Sequence, residues 1–184
     1  MAKVEITPSH RMDSIKEYYF SKKNREIAEL RKAGRDIISL GIGSPDMPPA
    51  QAVIDRLAKE AQRPDVHAYQ PYNGSELLRT AYADWYKKWY NVTLDPKSEV
   101  LPLLGSKEGI MHICMAFLDA GDKVLVPNPG YPTYRAAVTL AGGEVLEYRL
   151  NAANGFYPNF EEIEAEDLSK VKLMFVNYPN MPTG

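Results

Sequence analysis

The chain has 184 residues, and its 22 lysines and arginines nearly balance its 24 aspartates and glutamates, so the formal net charge is −2. A charge this close to zero argues against a protein that binds nucleic acid through electrostatic attraction. With 45% apolar and 25% charged residues, the composition is that of a folded globular protein and not of a disordered chain.

Neither the apolar runs nor the N-terminus indicate a membrane or secreted protein. The most apolar helical stretch, Ile110–Leu118, is far shorter than the roughly 20 residues that a transmembrane helix needs. The first residues, Met1–Glu5, lack the apolar region and the cleavage site of a secretory signal. We therefore expect a cytoplasmic protein with no membrane and no nucleic-acid partner.

The first half of the chain predicts mainly helices. A stretch without proline or glycine carries apolar residues at helical spacing and predicts a helix over Asp13–Lys32. The β-branched residues of Asp36–Leu40 predict a short strand, which residues 41–46 end with two glycines and a proline. Apolar stripes predict two further helices, Gln51–Gln62 and Ser75–Tyr90.

After residue 98, short apolar runs alternate with helical patterns, as in βαβ units. The predicted strands are Val100–Leu104, Lys123–Pro127, Glu144–Leu150 and Val171–Asn177, and the predicted helices are Glu108–Leu118 and Tyr134–Ala141. Because runs such as Leu101–Leu104 and Lys172–Val176 are continuous in apolar residues, we expect strands of this kind to be buried on both faces. The predicted fold class is α/β, a mainly parallel sheet with flanking helices, preceded by an N-terminal helical arm.

The last residues predict a strand and the start of a turn. Residues 178–184 have the composition of a loop that leads into a helix. A parallel sheet without that helix exposes an apolar face. We therefore expect the domain to be incomplete at Gly184.

Cys114 is the only cysteine in the sequence, so no internal disulfide can form. It lies within a predicted helix, and we expect it to be buried. The spacing of cysteine and histidine predicts no metal site.

Ligands of parallel sheets bind beyond the carboxyl ends of the strands, so the loops there are the first candidates for a site. Gly105-Ser106-Lys107-Glu108-Gly109 opens a predicted helix, where free N–H groups, a hydroxyl and an ammonium could surround a phosphate. The alternative is an ordinary helix start that Ser106 caps. The glycine spacing matches neither a Walker loop nor a nucleophile elbow, and Gly41-Ile42-Gly43 lacks the third glycine of a dinucleotide fingerprint.

A second loop, residues 127–134, holds an aromatic residue on a turn that its prolines make rigid. Tyr131 could stack on a planar ligand from this position. The alternative is that it only covers the end of the sheet. The third loop is the terminal one, residues 177–184.

The motifs of these loops, in their order, are similar to one family. They are Leu40-Gly41-Ile42-Gly43-Ser44-Pro45-Asp46, Tyr69-Gln70-Pro71-Tyr72-Asn73-Gly74, Gly105-Ser106-Lys107-Glu108-Gly109, Pro127-Asn128-Pro129-Gly130-Tyr131-Pro132 and Asn177-Tyr178-Pro179-Asn180-Met181-Pro182-Thr183-Gly184. From about residue 36 onward the chain resembles the N-terminal half of the class I/II aminotransferases, which use pyridoxal 5'-phosphate on the aspartate aminotransferase fold. The resemblance implies that residues 1–45 form an arm and helix contributing to the small domain. Residues 46–184 would form the first part of the large cofactor-binding domain.

The resemblance also implies roles for individual residues. Gly43 matches a glycine whose backbone approaches the substrate carboxylate, where a side chain would collide with the substrate. Gly105, Ser106 and Lys107 match the loop that holds the cofactor phosphate. Tyr131 matches the aromatic residue that stacks on the pyridine ring.

Two further positions bear on the oligomeric state and on the contact to the phenolic oxygen of the cofactor. Tyr69 matches a tyrosine that reaches the cofactor phosphate of the partner subunit, which implies a homodimer. Met181 stands where the family has an asparagine that donates to the phenolic oxygen of the cofactor, and a thioether cannot donate a hydrogen bond. Either Asn180 or Asn177 takes over that role, or the site is tuned differently; we take Asn180 as the candidate contact.

The implied activity is transfer of an amino group between an amino acid and a 2-oxo acid. In this family the lysine that forms the Schiff base follows the Pro-Thr-Gly turn, so the catalytic lysine is not among these 184 residues, and we expect them to be inactive alone. The alternatives are a pyridoxal-phosphate-dependent lyase of the same fold and a non-catalytic cofactor-binding domain. The sequence leaves the amino acid substrate open.

Overall fold

The computed structural model describes residues 6–13, 15 and 17–184. The chain divides into two compact units, one formed by residues 17–102 and the other by residues 103–184 together with the described N-terminal residues 6–13 and 15. The division at residue 45 that the resemblance implies stays a prediction. Residues 14 and 16, which fall within the predicted first helix, lie outside the described residues.

The unit of residues 17–102 contains three α-helices: α1 (Tyr19–Lys32), α2 (Gln51–Ala61) and α3 (Glu76–Tyr90). All three were predicted, although α1 begins six residues later than the sequence pattern indicates. The hydroxyl of Ser75 caps α3 by accepting from the N–H of Leu78 at 3.3 Å. Asn91, in the left-handed region at φ 54°, ends the helix.

The other unit is built on three parallel strands: β1 (Lys123–Asn128), β2 (Glu144–Arg149) and β3 (Val171–Met174), in the order β2-β1-β3. The central strand β1 pairs with β2 along its whole length. Three α-helices accompany them: α4 (Ser106–Phe117), α5 (Pro132–Ala141) and α6 (Phe160–Glu164). The predicted fold class, a mainly parallel sheet with flanking helices, is confirmed.

Alternate residues of β1 enter two separate apolar clusters, one on each face of the sheet. Val124 and Val126 pack with α4 and α5, in a cluster that includes Cys114, Val138 and Tyr134. The second cluster contains Leu125, Tyr148, Leu150 and Ile163. Both faces of β1 are therefore covered, which is why its sequence reads as one apolar run. Cys114 is fully buried in α4, as predicted.

Two of the predicted strands are wrong. Asp36–Leu40 and Val100–Leu104 have no regular secondary structure, and within the described part of the chain neither segment pairs with another strand. Leu40 and Leu104 are almost fully exposed. The physical reason is that an apolar, β-branched run becomes a strand only when a neighbour completes its hydrogen-bond ladder.

Among the described residues, no helix has both the length and the apolar character that crossing a membrane requires.

Candidate active site

The N-terminus of α4 is an open helix end. Gly105 precedes it at φ 95° and ψ 158°, a conformation that favours glycine, and a Cβ built there would meet no atom within 4 Å. No side chain caps the helix: Ser106 is its first residue, so the alternative in which Ser106 caps is wrong. The Glu108 carboxylate turns back and accepts from the N–H of Leu104 at 2.6 Å. The first turn of α4 therefore presents backbone N–H groups and the positive end of the helix dipole to open space.

The loop after β1 presents Tyr131 from a constrained backbone. A Cβ built on Gly130 would lie 2.4 Å from the carbonyl oxygen of Pro127 and 2.8 Å from its Cγ, so only glycine fits this turn. Tyr131 follows directly as the residue before α5 and is half-buried. The close turn at Gly130 thus sets where the tyrosine leaves the end of the strand.

Tyr131 contacts a pair of stacked aromatic rings. Its ring meets that of Tyr134 edge-on, with centroids 5.7 Å apart and planes at 85°. The buried Tyr134 ring stacks on Phe175 at 4.6 Å and 12°. The carbonyl of Phe175 in turn accepts from the Tyr148 hydroxyl at 2.6 Å. The stack therefore ties Tyr131 to the ends of β2 and β3.

Lys107, in the first turn of α4, contacts the loop that carries Tyr131. Its Nζ lies 5.6 Å from the centroid of the Tyr131 ring. A hydrogen bond with the Thr133 side chain, followed by one with Lys107, lowers the pKa of Tyr131 because both partners favour the ionised hydroxyl. The structure therefore brings together Lys107 and Tyr131, two of the residues that the sequence singled out.

The terminal turn reaches the same edge of the sheet. Asn180 is only 4% exposed, and its amide donates to the Thr183 hydroxyl at 2.8 Å and to the Pro129 carbonyl at 3.5 Å. The N–H of Gly184 donates to the Asn180 carbonyl at 2.6 Å. Met181, next in sequence, is half exposed. Asn180, and not Met181, therefore faces the loop that carries Tyr131.

Two predicted site residues belong to the unit of residues 17–102. Gly43 is exposed, and a Cβ built on it would meet nothing within 4 Å. Tyr69 is fully exposed in the described chain. Their roles, which the resemblance implies, stay predictions.

The residues that pack around Tyr131 were not predicted from the sequence as part of the site. Thr133 and Tyr134 lie in the same motif as Tyr131. Because residues 131–134 form the start of a helix, the spacing of three residues predicts that the two tyrosines lie on one face and can touch. Phe175 directly follows β3 and lies more than 40 residues from Tyr134 in sequence, and the pairing of β1 with β3 brings the two rings together.

Comparison with known proteins gives a consistent result. The family model described as aminotransferase class I and II matches residues 35–184. An LL-diaminopimelate aminotransferase from Moorella thermoacetica is 49% identical over 176 residues, which cover 96% of this chain and 45% of the relative. The chain thus spans about half the length of the curated relatives it matches.

Solved structures agree with the sequence matches. The apo structure of BacF from Bacillus subtilis is 40% identical, with a TM-score of 0.89 over 97% of this chain and 46% of that chain. An aspartate aminotransferase from Thermotoga maritima is 30% identical, with a TM-score of 0.87 over 96% of this chain and 47% of that one.

Proposed function

The chain belongs to the class I and II aminotransferase family, and on this basis we propose that its protein moves an amino group between an amino acid and a 2-oxo acid with pyridoxal 5'-phosphate as cofactor. The observation that carries the proposal is the open N-terminus of α4 beside Tyr131. This arrangement offers an anion site and a flat aromatic surface at one edge of a parallel sheet. When bound, the cofactor supplies an aldehyde carbon that accepts the amino group and an electron-withdrawing ring that stabilises negative charge at the substrate α-carbon.

The first turn of α4 fits the phosphate of this cofactor. Gly105 leaves open space in front of the helix, and no side chain competes for the N–H groups there. In the proposal, Ser106 contributes its hydroxyl and its N–H group, and Lys107 contributes its N–H group. The helix dipole favours the dianionic phosphate over a neutral group.

Tyr131 fits the ring of the cofactor. Its T-shaped contact with the Tyr134 ring restricts the Tyr131 side chain, so less conformational entropy is lost when a planar ligand stacks on it. Asn180 is proposed to lie beside the same ring. Its amide would exchange the 3.5 Å bond to the Pro129 carbonyl for one to the cofactor, and so compensate for the methionine that replaces the usual asparagine.

Roles are also proposed for Gly43 and Tyr69, in the unit of residues 17–102. A glycine with free space around it lets its backbone approach a substrate carboxylate closely. The full exposure of Tyr69 supports a role outside its own subunit, as a contact to the cofactor phosphate of a partner in a homodimer. We propose that this assembly works in the cytoplasm.

The names of the relatives support a choice of substrate to test. Several proteins that are 42–49% identical to this chain are named LL-diaminopimelate aminotransferase. We propose LL-diaminopimelate as the first amino donor to test. If ammonia is released and the oxo acid is not consumed, the lyase alternative is the better assignment.

Cofactor binding tests the proposal directly. Equilibrium dialysis should show that the chain binds pyridoxal phosphate more tightly than pyridoxal, which lacks the phosphate. Gly105→Ala should weaken only pyridoxal phosphate, because alanine at φ 95° distorts the start of α4. Tyr131→Ala should weaken both ligands by roughly two- to tenfold, the worth of one aromatic stack.

Phe160→Ala is the matched control, because it removes an exposed aromatic ring at the start of α6. It should leave both affinities unchanged. Equal affinity of the two ligands for the wild type would contradict a phosphate site at α4.

A further inference from the structure

Glu147 on β2 contacts both ends of the Tyr131 segment, residues 128–135. One of its carboxylate oxygens, Oε2, accepts from the side-chain amide of Asn128 at 2.9 Å, and the other forms an ion pair with Arg135. Asn128 is the last residue of β1, and Arg135 lies near the start of α5. Because both oxygens belong to one carboxylate, the two ends of the segment cannot move apart without losing one of these contacts.

The alternation of the strands places Asn128 and Glu147 on the same face of the sheet. Side chains two residues apart on a strand lie on one face, so Asn128 shares the face of Val126 and Glu147 shares that of Val145. Both valines pack in the apolar cluster that α5 covers. The carboxylate of Glu147 therefore lies toward the carboxyl end of this face, where Arg135 of α5 reaches it.

The Tyr131 segment follows the end of a strand pairing. The pairing of β1 with β2 ends at Asn128, so the ladder itself does not hold the residues that follow. The Arg135 side chain is 54% exposed and that of Glu147 is 39% exposed, and ion pairs of this exposure contribute little to the free energy of unfolding. We therefore expect the contacts of Glu147 to restrict the segment more than they stabilise the fold.

We propose that Glu147 is a positioning residue that ties together the two ends of the Tyr131 segment and so keeps the Tyr131 ring in place at the carboxyl edge of the sheet. The benefit to cofactor stacking rests on the proposed function. The contacts of Glu147 need no ligand and can be tested without one.

Hydrogen–deuterium exchange of the full chain, followed by mass spectrometry, tests these contacts. Glu147→Met keeps the length of the side chain and removes both acceptor oxygens. A peptide covering residues 128–135 should exchange roughly two- to tenfold faster in this variant, the factor that loss of one hydrogen bond gives to a local opening. Peptides from α4 should exchange at the wild-type rate.

Glu144→Met is the matched control, because it removes an exposed carboxylate from the other end of the same strand. It should leave the exchange of residues 128–135 unchanged. An unchanged rate for this peptide in Glu147→Met, or equally faster exchange throughout the chain, would overturn the proposal.

The consequence for binding is tested by a double-mutant cycle. Glu147→Met should weaken pyridoxal phosphate and pyridoxal by the same factor, roughly two- to fivefold, since a loosely held Tyr131 ring loses part of its stacking contribution. In a Tyr131→Ala background, Glu147→Met should cause no further loss. Glu144→Met reports the effect of one lost negative charge on an anionic ligand, and it should weaken neither ligand.

A loss confined to pyridoxal phosphate, or one that persists in the Tyr131→Ala background, would mean that Glu147 does not act through the Tyr131 ring. Either result would overturn the positioning role. If no form of the chain binds either ligand, the proposed function fails, and the exchange measurement still decides whether Glu147 holds the Tyr131 segment.

Discussion

Replacing Gly130 with alanine should disrupt the turn that presents Tyr131. The added Cβ would lie 2.4 Å from the carbonyl oxygen of Pro127, and real Cβ atoms essentially never approach a heavy atom closer than 3.0 Å. The backbone must therefore open by at least about 0.6 Å at the end of β1, where Pro127 is buried and cannot move alone. We expect a loss of about 1–3 kcal/mol in the free energy of unfolding, the cost of overpacking a close-packed site.

Gly109→Ala is the matched control because its added Cβ meets an atom at the same distance, 2.4 Å, but that atom is the Cδ1 of Leu103. The Leu103 side chain is 41% exposed and can rotate away. The helical position also favours alanine over glycine by about 1 kcal/mol. Gly109→Ala should therefore change the stability by less than about 1 kcal/mol.

Urea denaturation of the wild type and both variants, followed by circular dichroism, compares these expectations. Cofactor affinity should fall in Gly130→Ala, because Tyr131 moves with the turn. If Gly130→Ala were as stable as the wild type, or if Gly109→Ala were the more destabilising change, a clash with backbone would not cost more than a clash with a movable side chain, and the prediction would be refuted.

Two further predictions concern hydrogen bonds and pH. Burial raises the pKa of Tyr148 to about 12 from its ordinary 10, so its contribution to stability is present below pH 10 and lost as the pH rises through about 12. Tyr148→Phe should cost about 1 kcal/mol at pH 7, the worth of its bond to Phe175, and urea denaturation should show a weaker loss of stability above pH 10 than in the wild type. Hydrogen bonds from Ser169 and then Lys123 lower the pKa of Asp167 from 3.8 to about 2, so Asp167→Asn should be less stable than the wild type at pH 7. That difference should shrink as the pH falls from about 4 to 2, and a difference independent of pH would contradict the assignment.

The sequence predicts the elements whose own residues determine them. The apolar run of β1 predicts a strand that is covered on both faces, and the two clusters on either side of Val124 and Leu125 bear this out. The helices α2 and α3 carry apolar stripes, and their bounds agree with prediction to within one residue. In these segments local propensity and tertiary packing favour the same structure.

Prediction failed where an element needs a distant partner. Asp36–Leu40 and Val100–Leu104 have the composition of strands, but pairing is a property of two segments and cannot be read from one. The site shows the same limit. The motif around Tyr131 is visible in the sequence, whereas its contacts with Lys107 and the stack on Phe175 depend on elements that the sheet brings together.

Because Cys114 is buried, its chemical modification can show when the core opens. The thiol is fully inaccessible, and burial raises its pKa, so a thiol reagent can modify it only after α4 separates from the sheet. Because the sequence contains no other cysteine, each modified molecule records one such opening. The labelling rate under native conditions therefore measures the population of open molecules. A ligand that binds across the first turn of α4 and the Tyr131 loop should slow that rate in proportion to its occupancy, without any probe being added to the protein.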